Sequence, residues 1–174
     1  MKQFSRIILV AFFLTTFFTC KDGSLLYNHT DVDLVTGIVV RNAYANTTGT
    51  LGNPNVFDKT KFNAYPNLTY DFVNLSAADT ITEIWIVAAK GRKKFKNDDF
   101  DLILSSNLYD ENQIVSCAID HYTNLNSQNL QLNLSDFDKG YYKVFVKVGE
   151  NIYCDNIYVA KSESDIDKVY KFWD

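Results

Sequence analysis

Histidine, proline and glycine are all scarce in this 174-residue chain, which holds two, two and seven of them. His29 and His121 stand too far apart to form a zinc-binding pair at ligand spacing. A Ser–His–acid set would have to use His121, and no Gly-x-Ser-x-Gly elbow accompanies it. His121 reads instead as a turn residue after a strand end. No glycine-rich phosphate loop occurs. The low proline and glycine content, beside 15 % aromatics, excludes a disordered or fibrous chain. Helical periodicity is also missing until Ser164–Phe172.

The N-terminus carries the most specific pattern. Lys2 and Arg6 precede an apolar run from Ile7 to Leu14. Thr15 to Thr19 follow, then Cys20, after which Lys21-Asp22-Gly23-Ser24 is polar. A charged start, a short apolar middle and a small residue before the junction describe a secretory signal. The run is shorter than the roughly 20 residues that span a bilayer. With Cys20 at the junction, residues 1–19 resemble a bacterial lipoprotein signal. Phe17 and Thr19 stand where the usual box has Leu, Val or Ile and Gly, Ala or Ser. Looser boxes of this kind resemble those of the Bacteroidota. The resemblance implies lipidation of Cys20 and anchorage in the outer membrane. Lys21-Asp22 is half of the acidic pattern that resembles a surface-export signal, so the cell surface is expected over the periplasmic face.

Without residues 1–19 the chain keeps 15 of its 17 basic side chains against 21 acidic ones, a formal charge of −6. That balance argues against a nucleic-acid partner, which needs a concentrated basic face. About 155 residues suit one domain with a real core. The expected organisation is residues 1–19 as signal, 20–33 as a lipidated tether, 34–162 as a β-sandwich domain and 163–174 as a tail.

Strand signals succeed one another from Leu34 onward. Leu34–Val40 is β-branched, and Thr69–Leu75 alternates polar and apolar. Ser76–Asp79 is expected to break that strand. Thr82–Ala89 reads as central and buried on both faces. Phe100–Leu104 and Gln113–Ile119 are further strand candidates. Leu130, Leu132 and Leu134 alternate with asparagine and glutamine. In Gly140–Val148, Tyr142, Val144, Val146 and Val148 share one face, with Lys143 and Lys147 on the other. Gly149-Glu150-Asn151 turns the chain into Ile152–Ala160. The fold class is therefore all-β, an antiparallel two-sheet β-sandwich. The leucine ladder, the Asp138-Lys139-Gly140 corner, the Tyr141-Tyr142 pair and Trp85 resemble an immunoglobulin-like or fibronectin type III-like domain. The resemblance implies that Tyr141 or Tyr142 bonds back to nearby backbone and that Trp85 is buried.

Candidate sites are few. Cys117 and Cys154 either form a disulfide, worth about 3–4 kcal/mol across its loop of roughly 37 residues, or are separate buried thiols. Asp98, Asp99 and Asp101 are the one candidate cation cluster, but Arg92, Lys93, Lys94 and Lys96 lie just upstream to neutralise them. A glycosidase pair needs two facing acids, and nothing in the sequence places any two. Tyr141, Phe145, Tyr153 and Tyr158, with Tyr109 nearby, either make an outward platform for sugars or proteins or lie under a covering layer. The aromatics of the C-terminus, Trp173 among them, either fold back or dock into a partner. No cofactor is implied. The sequence thus points to a non-catalytic, lipid-anchored binding protein, an accessory subunit beside an outer-membrane partner. The alternative is a surface carbohydrate-binding module.

Overall fold

The computed structural model describes residues 31–104 and 109–174. Residues 1–30, which include the expected signal and Cys20, lie outside it. Strands dominate: β1 (Leu34–Val35), β2 (Gly37–Arg41), β3 (Thr47–Gly52), β4 (Phe62–Tyr65), β5 (Leu68–Thr69) and β6 (Phe72–Gly91) come first. Helices α1 (Phe100–Ile103) and α2 (Glu111–Cys117) follow. Then come β7 (Ala118–Tyr122), β8 (Ser127–Asn133), β9 (Gly140–Val148), β10 (Asn151–Val159) and helix α3 (Glu163–Trp173).

Strand β6 organises the larger sheet. Its first part pairs with β4 and β8, its second with β7 and β9, and its last residues with β1. The path β1-β6-β9-β10-β5 completes an eight-stranded sheet, while β2 and β3 form a small second one. The fold is all-β as expected, but the larger sheet is mixed rather than antiparallel: β1 runs parallel to β6 and β5 parallel to β10.

The expected break at Ser76–Asp79 does not end the strand. A register shift there leaves the chain extended, and a second shift lies between Ile81 and Glu83. The second shift changes which parity faces the core. Val73, Leu75 and Ile81 point inward before it, Ile84 and Ile86 after it. An extra residue in one strand does this without ending the pairing. Trp85 and Val87 are thereby turned to the opposite face, also buried.

The main core joins both parts of β6. Phe62, Ala64, Val73, Leu75 and Leu132 lie in one cluster with Ile84, Ile86, Val144, Val146 and Ile157. A direct bond shows that β4 packs across from β10: the Ala64 amide donates to Asp155 Oδ2 at 3.0 Å. A second cluster covers the outer face with Val32, Tyr109 and Ile114 over Trp85, Phe145 and Cys154. Val32 therefore belongs to the domain, not to the tether. Tyr142 supplies the expected backbone contact, its hydroxyl donating to the Asp138 carbonyl at 2.7 Å.

Two expected strands are helices. Asp99 caps α1 by accepting from the Asp101 amide at 3.1 Å, and Asp110 caps α2 by accepting from Asn112 at 2.8 Å. In Gln113–Ile119 the alternation of Val115, Cys117 and Ile119 mimicked a strand. Ile114 is the buried position, with Cys117 and Ala118 packed beside it, which is helical spacing.

The small sheet is welded on by buried polar groups. Asn55 Oδ1 accepts from the Thr36 amide at 3.2 Å and from Asn156 Nδ2 at 3.0 Å. Asn67 joins the Arg41 amide (2.8 Å) to the Val39 carbonyl (2.6 Å). The Arg41 guanidinium forms a buried ion pair with Asp155. Burial pushes the Asp155 carboxyl above its ordinary range; Arg41 and the amides of Ala64 and Asn156 pull it back. Removing one member strands the other charge in the core, which costs about 3–5 kcal/mol. We expect Asp155→Ala to lose that much in urea unfolding. Arg41→Met with Asp155→Leu should recover only part, because the Ala64 and Asn156 amides stay unpaired. A loss below about 1 kcal/mol for the single variant would mean that the pair is not buried in solution.

Candidate functional site

The aspartate loop lies beside an open pocket of about 310 Å³, lined by Asn53, Pro54, Lys59, Lys96, Asn97, Asp98, Asp99, Phe100 and Asp101. Asn53 holds the loop in place, its Nδ2 donating to the carbonyls of Phe95 at 2.7 Å and Asp98 at 2.8 Å. Asp99 is occupied as a helix cap. Among the described residues no group of three or more His, Cys, Asp or Glu is placed to hold a metal ion. The loop is thus a polar rim of mixed charge around a buried Phe100.

His121 lies within β7, opposite Trp85 in the ladder, and not in a turn as expected. Its ring stacks on Trp85 with centroids 5.2 Å apart, and its Nε2 lies 3.0 Å from Glu83 Oε2. Lys147 continues the chain of charges, 3.7 Å from Glu83 and 2.9 Å from Glu111. This is a half-exposed ion network on a sheet face, and it contains no nucleophile.

The two candidate cysteines are not joined. Cys154 is a buried free thiol. The reason is topological: Cys117 ends α2 at the start of β7, and strands β6 and β9 lie between β7 and β10. Strands stand about 4.8 Å apart, so the gap far exceeds the reach of a disulfide.

The candidate platform is divided among three places. Phe145 is fully buried on the outer face, edge-on to Tyr109 at 5.0 Å. Tyr153 belongs to the main core and stacks on Phe57 at 6.0 Å. Tyr141 and Tyr158 are cross-strand partners, half-buried and edge-to-face at 4.9 Å. No exposed row results. α3 explains part of this: it folds back and sets Trp173 6.0 Å from Tyr141, which buries the indole and covers part of the tyrosine. Burial pushes the Tyr141 hydroxyl up to about 12. Gly52 makes room for the indole, since a Cβ there would lie 2.5 Å from the Trp173 ring. Side chains that do reach solvent, among them Tyr44, Leu102, Val115 and Ile119, were not among the candidate binding residues. Their apolar character was legible, but their exposure depends on neighbours distant in sequence.

α3 is held at its start by Asp165. Burial alone would raise this carboxyl. The Ser162 hydroxyl at 3.0 Å, the Lys161 amide at 3.3 Å and Lys139 Nζ at 3.3 Å outweigh it and hold the carboxyl down at about 2.

No family model, no curated protein and no solved structure matches this chain.

A carboxyl depressed in the folded state contributes stability above its unfolded value, and that contribution disappears as pH falls through the folded value. The docking of α3 should therefore weaken as pH drops from about 4 towards about 2. Indole emission, with Trp173→Phe as the blank, reads this directly. Asp165→Asn should abolish that pH step; an unchanged step in this variant would show that another group controls α3.

Proposed function

We propose that this protein is a lipid-anchored binding protein of the bacterial outer membrane, an accessory subunit of a membrane-embedded complex that acts by contact and not by catalysis. The observation that carries the reading is the junction at Cys20, where a charged and apolar leader gives way at once to polar sequence. Acyl chains contribute about 0.8 kcal/mol per buried methylene, and stable anchoring takes two signals. With Val32 packed in the domain, about eleven residues remain as tether, a reach of about 40 Å at most. The domain is thus confined near partners in the bilayer. Exposed Leu102, Val115 and Ile119 on α1, α2 and β7 offer apolar contact area for such a partner. The Tyr142 hydroxyl bond and the buried Trp85 support an immunoglobulin-like relationship, while the parallel strands β1 and β5 depart from that pattern.

Surface carbohydrate binding is the second reading, favoured by the pocket of amide, carboxylate and ammonium groups around Phe100. A few placed polar groups in a concave site orient a small ligand.

Cys20→Ala should move the protein from the membrane to the soluble fraction and leave its leader uncleaved; membrane retention with unaltered mass would end the anchoring proposal. A thiol serves one such bond, so lipidation of Cys20 and a Cys20–Cys117 bridge exclude each other. Recovering that bridge from membrane-purified protein would also overturn the reading. For the glycan reading, Lys96→Ala with Asp101→Ala should abolish retardation in polysaccharide affinity gels. Unretarded migration of the unaltered protein in every such gel would remove that alternative.

A further inference from the structure

The sequence gives no special weight to Lys143, yet it is the most unusual side chain in the molecule. It is a lysine with no solvent exposure, a rare state for an amine. Strands β9 and β10 pair Phe145 with Cys154 and Lys143 with Asn156. Lys143 and Cys154 are therefore diagonal neighbours on one face, a separation that long side chains cover. Lys143 Nζ donates to the Tyr109 hydroxyl at 3.0 Å, and stands 5.0 Å from the Tyr109 ring centre and 5.9 Å from that of Phe145. Tyr109 also interacts with the Cys154 thiol. The amine bonded to Tyr109 and the Cys154 thiol thus lie within one buried cluster.

Burial acts on both groups. It pushes the Lys143 ammonium down, against the opposing pull of Cys154, Asp33, Asp31 and Asp155, and it pushes the Cys154 thiol up. The downward push on the ammonium favours the amine, whose lone pair is free for bonding. Enclosure keeps bulky disulfides from the Cys154 thiol, so small oxidants are the reagents that reach it. Cys117 is two strands too far to resolve an oxidised Cys154. The trap on the same sheet face is the amine of Lys143, one diagonal step away.

We infer that Lys143 and Cys154 are the two ends of a nitrogen–oxygen–sulfur bridge that forms on exposure to hydrogen peroxide, with Tyr109 as the positioning residue. In the first step the thiol is oxidised by one peroxide to a sulfenic acid, releasing one water. In the second, the N–O bond forms between the amine and the sulfenic oxygen. One N–H and the O–H are lost, the nitrogen gives up two electrons, and a second peroxide is reduced to two waters. The product retains one N–H and one bridging oxygen. It clips β9 to β10 covalently at the centre of the buried face, and thiols reverse it. This inference does not depend on membrane anchorage or on the glycan pocket.

The test is mass spectrometry of the full chain before and after treatment with hydrogen peroxide. The oxidised protein should gain one oxygen and lose two hydrogens. A tryptic digest should contain residues 140–147, uncleaved at Lys143, joined to residues 148–161, and excess dithiothreitol should separate them. Tyr109→Phe, which keeps the ring and removes the hydroxyl, should lower the yield of the bridge severalfold while Cys154 still oxidises. Two results would overturn the inference: Cys154 that stays reduced in folded protein, or Cys154 that advances to sulfinic acid with cleavage at Lys143 intact.

Discussion

A single 20-residue strand, hydrogen-bonded along both edges, is the constraint on which the rest of this structure depends. β6 gives its first part to β4 and β8 and its second to β7 and β9, so both parts of the main core are built on one continuous backbone. Such a strand would ordinarily present one fixed parity to the core. The register shift between Ile81 and Glu83 removes that restriction. Inward positions change from odd to even, and Trp85 moves to the outer face. The outer cluster, with its buried lysine, exists because of this change.

Polar groups in the interior set the second constraint. The β2–β3 sheet has no ladder to the larger sheet. Three asparagines and the Arg41–Asp155 pair replace it, satisfying the backbone of β2 from the side chains of other segments. Buried amides need partners, so a misplaced hairpin would leave several unsatisfied at about 1–3 kcal/mol each. The network therefore selects one position for the hairpin more than it adds net stability. Asn156 is not completely served, as its Oδ1 has no partner among the described residues.

The aromatic content, which suggested a binding platform, is mostly spent on the interior. Phe145, Tyr153 and Trp173 each seal a different cluster. Exposed apolar side chains are scattered instead, among them Tyr44 between β2 and β3, Phe72 and Ile119 on strands, and Leu102, Val115 and Tyr170 on helices. The proposed contact with a partner would draw on such separate positions and not on one aromatic platform. Loops and connections tolerate such exposure because their side chains are not needed for the core.

Local order along the chain determined the strands that alternate cleanly, Ser127–Asn133 and Gly140–Val148, together with the double burial of Ile84–Val87. Alternation follows from backbone geometry alone, so two neighbouring residues suffice to show it. The helices at Phe100 and Glu111 escaped because four to seven residues hold too few turns to display a period. Tertiary structure alone decided that Lys143 is buried, that Cys154 is unbridged and that Trp173 folds inward. Each outcome depends on what covers the residue, and the covering groups, Tyr109, two intervening strands and the cleft at Gly52, come from distant parts of the chain.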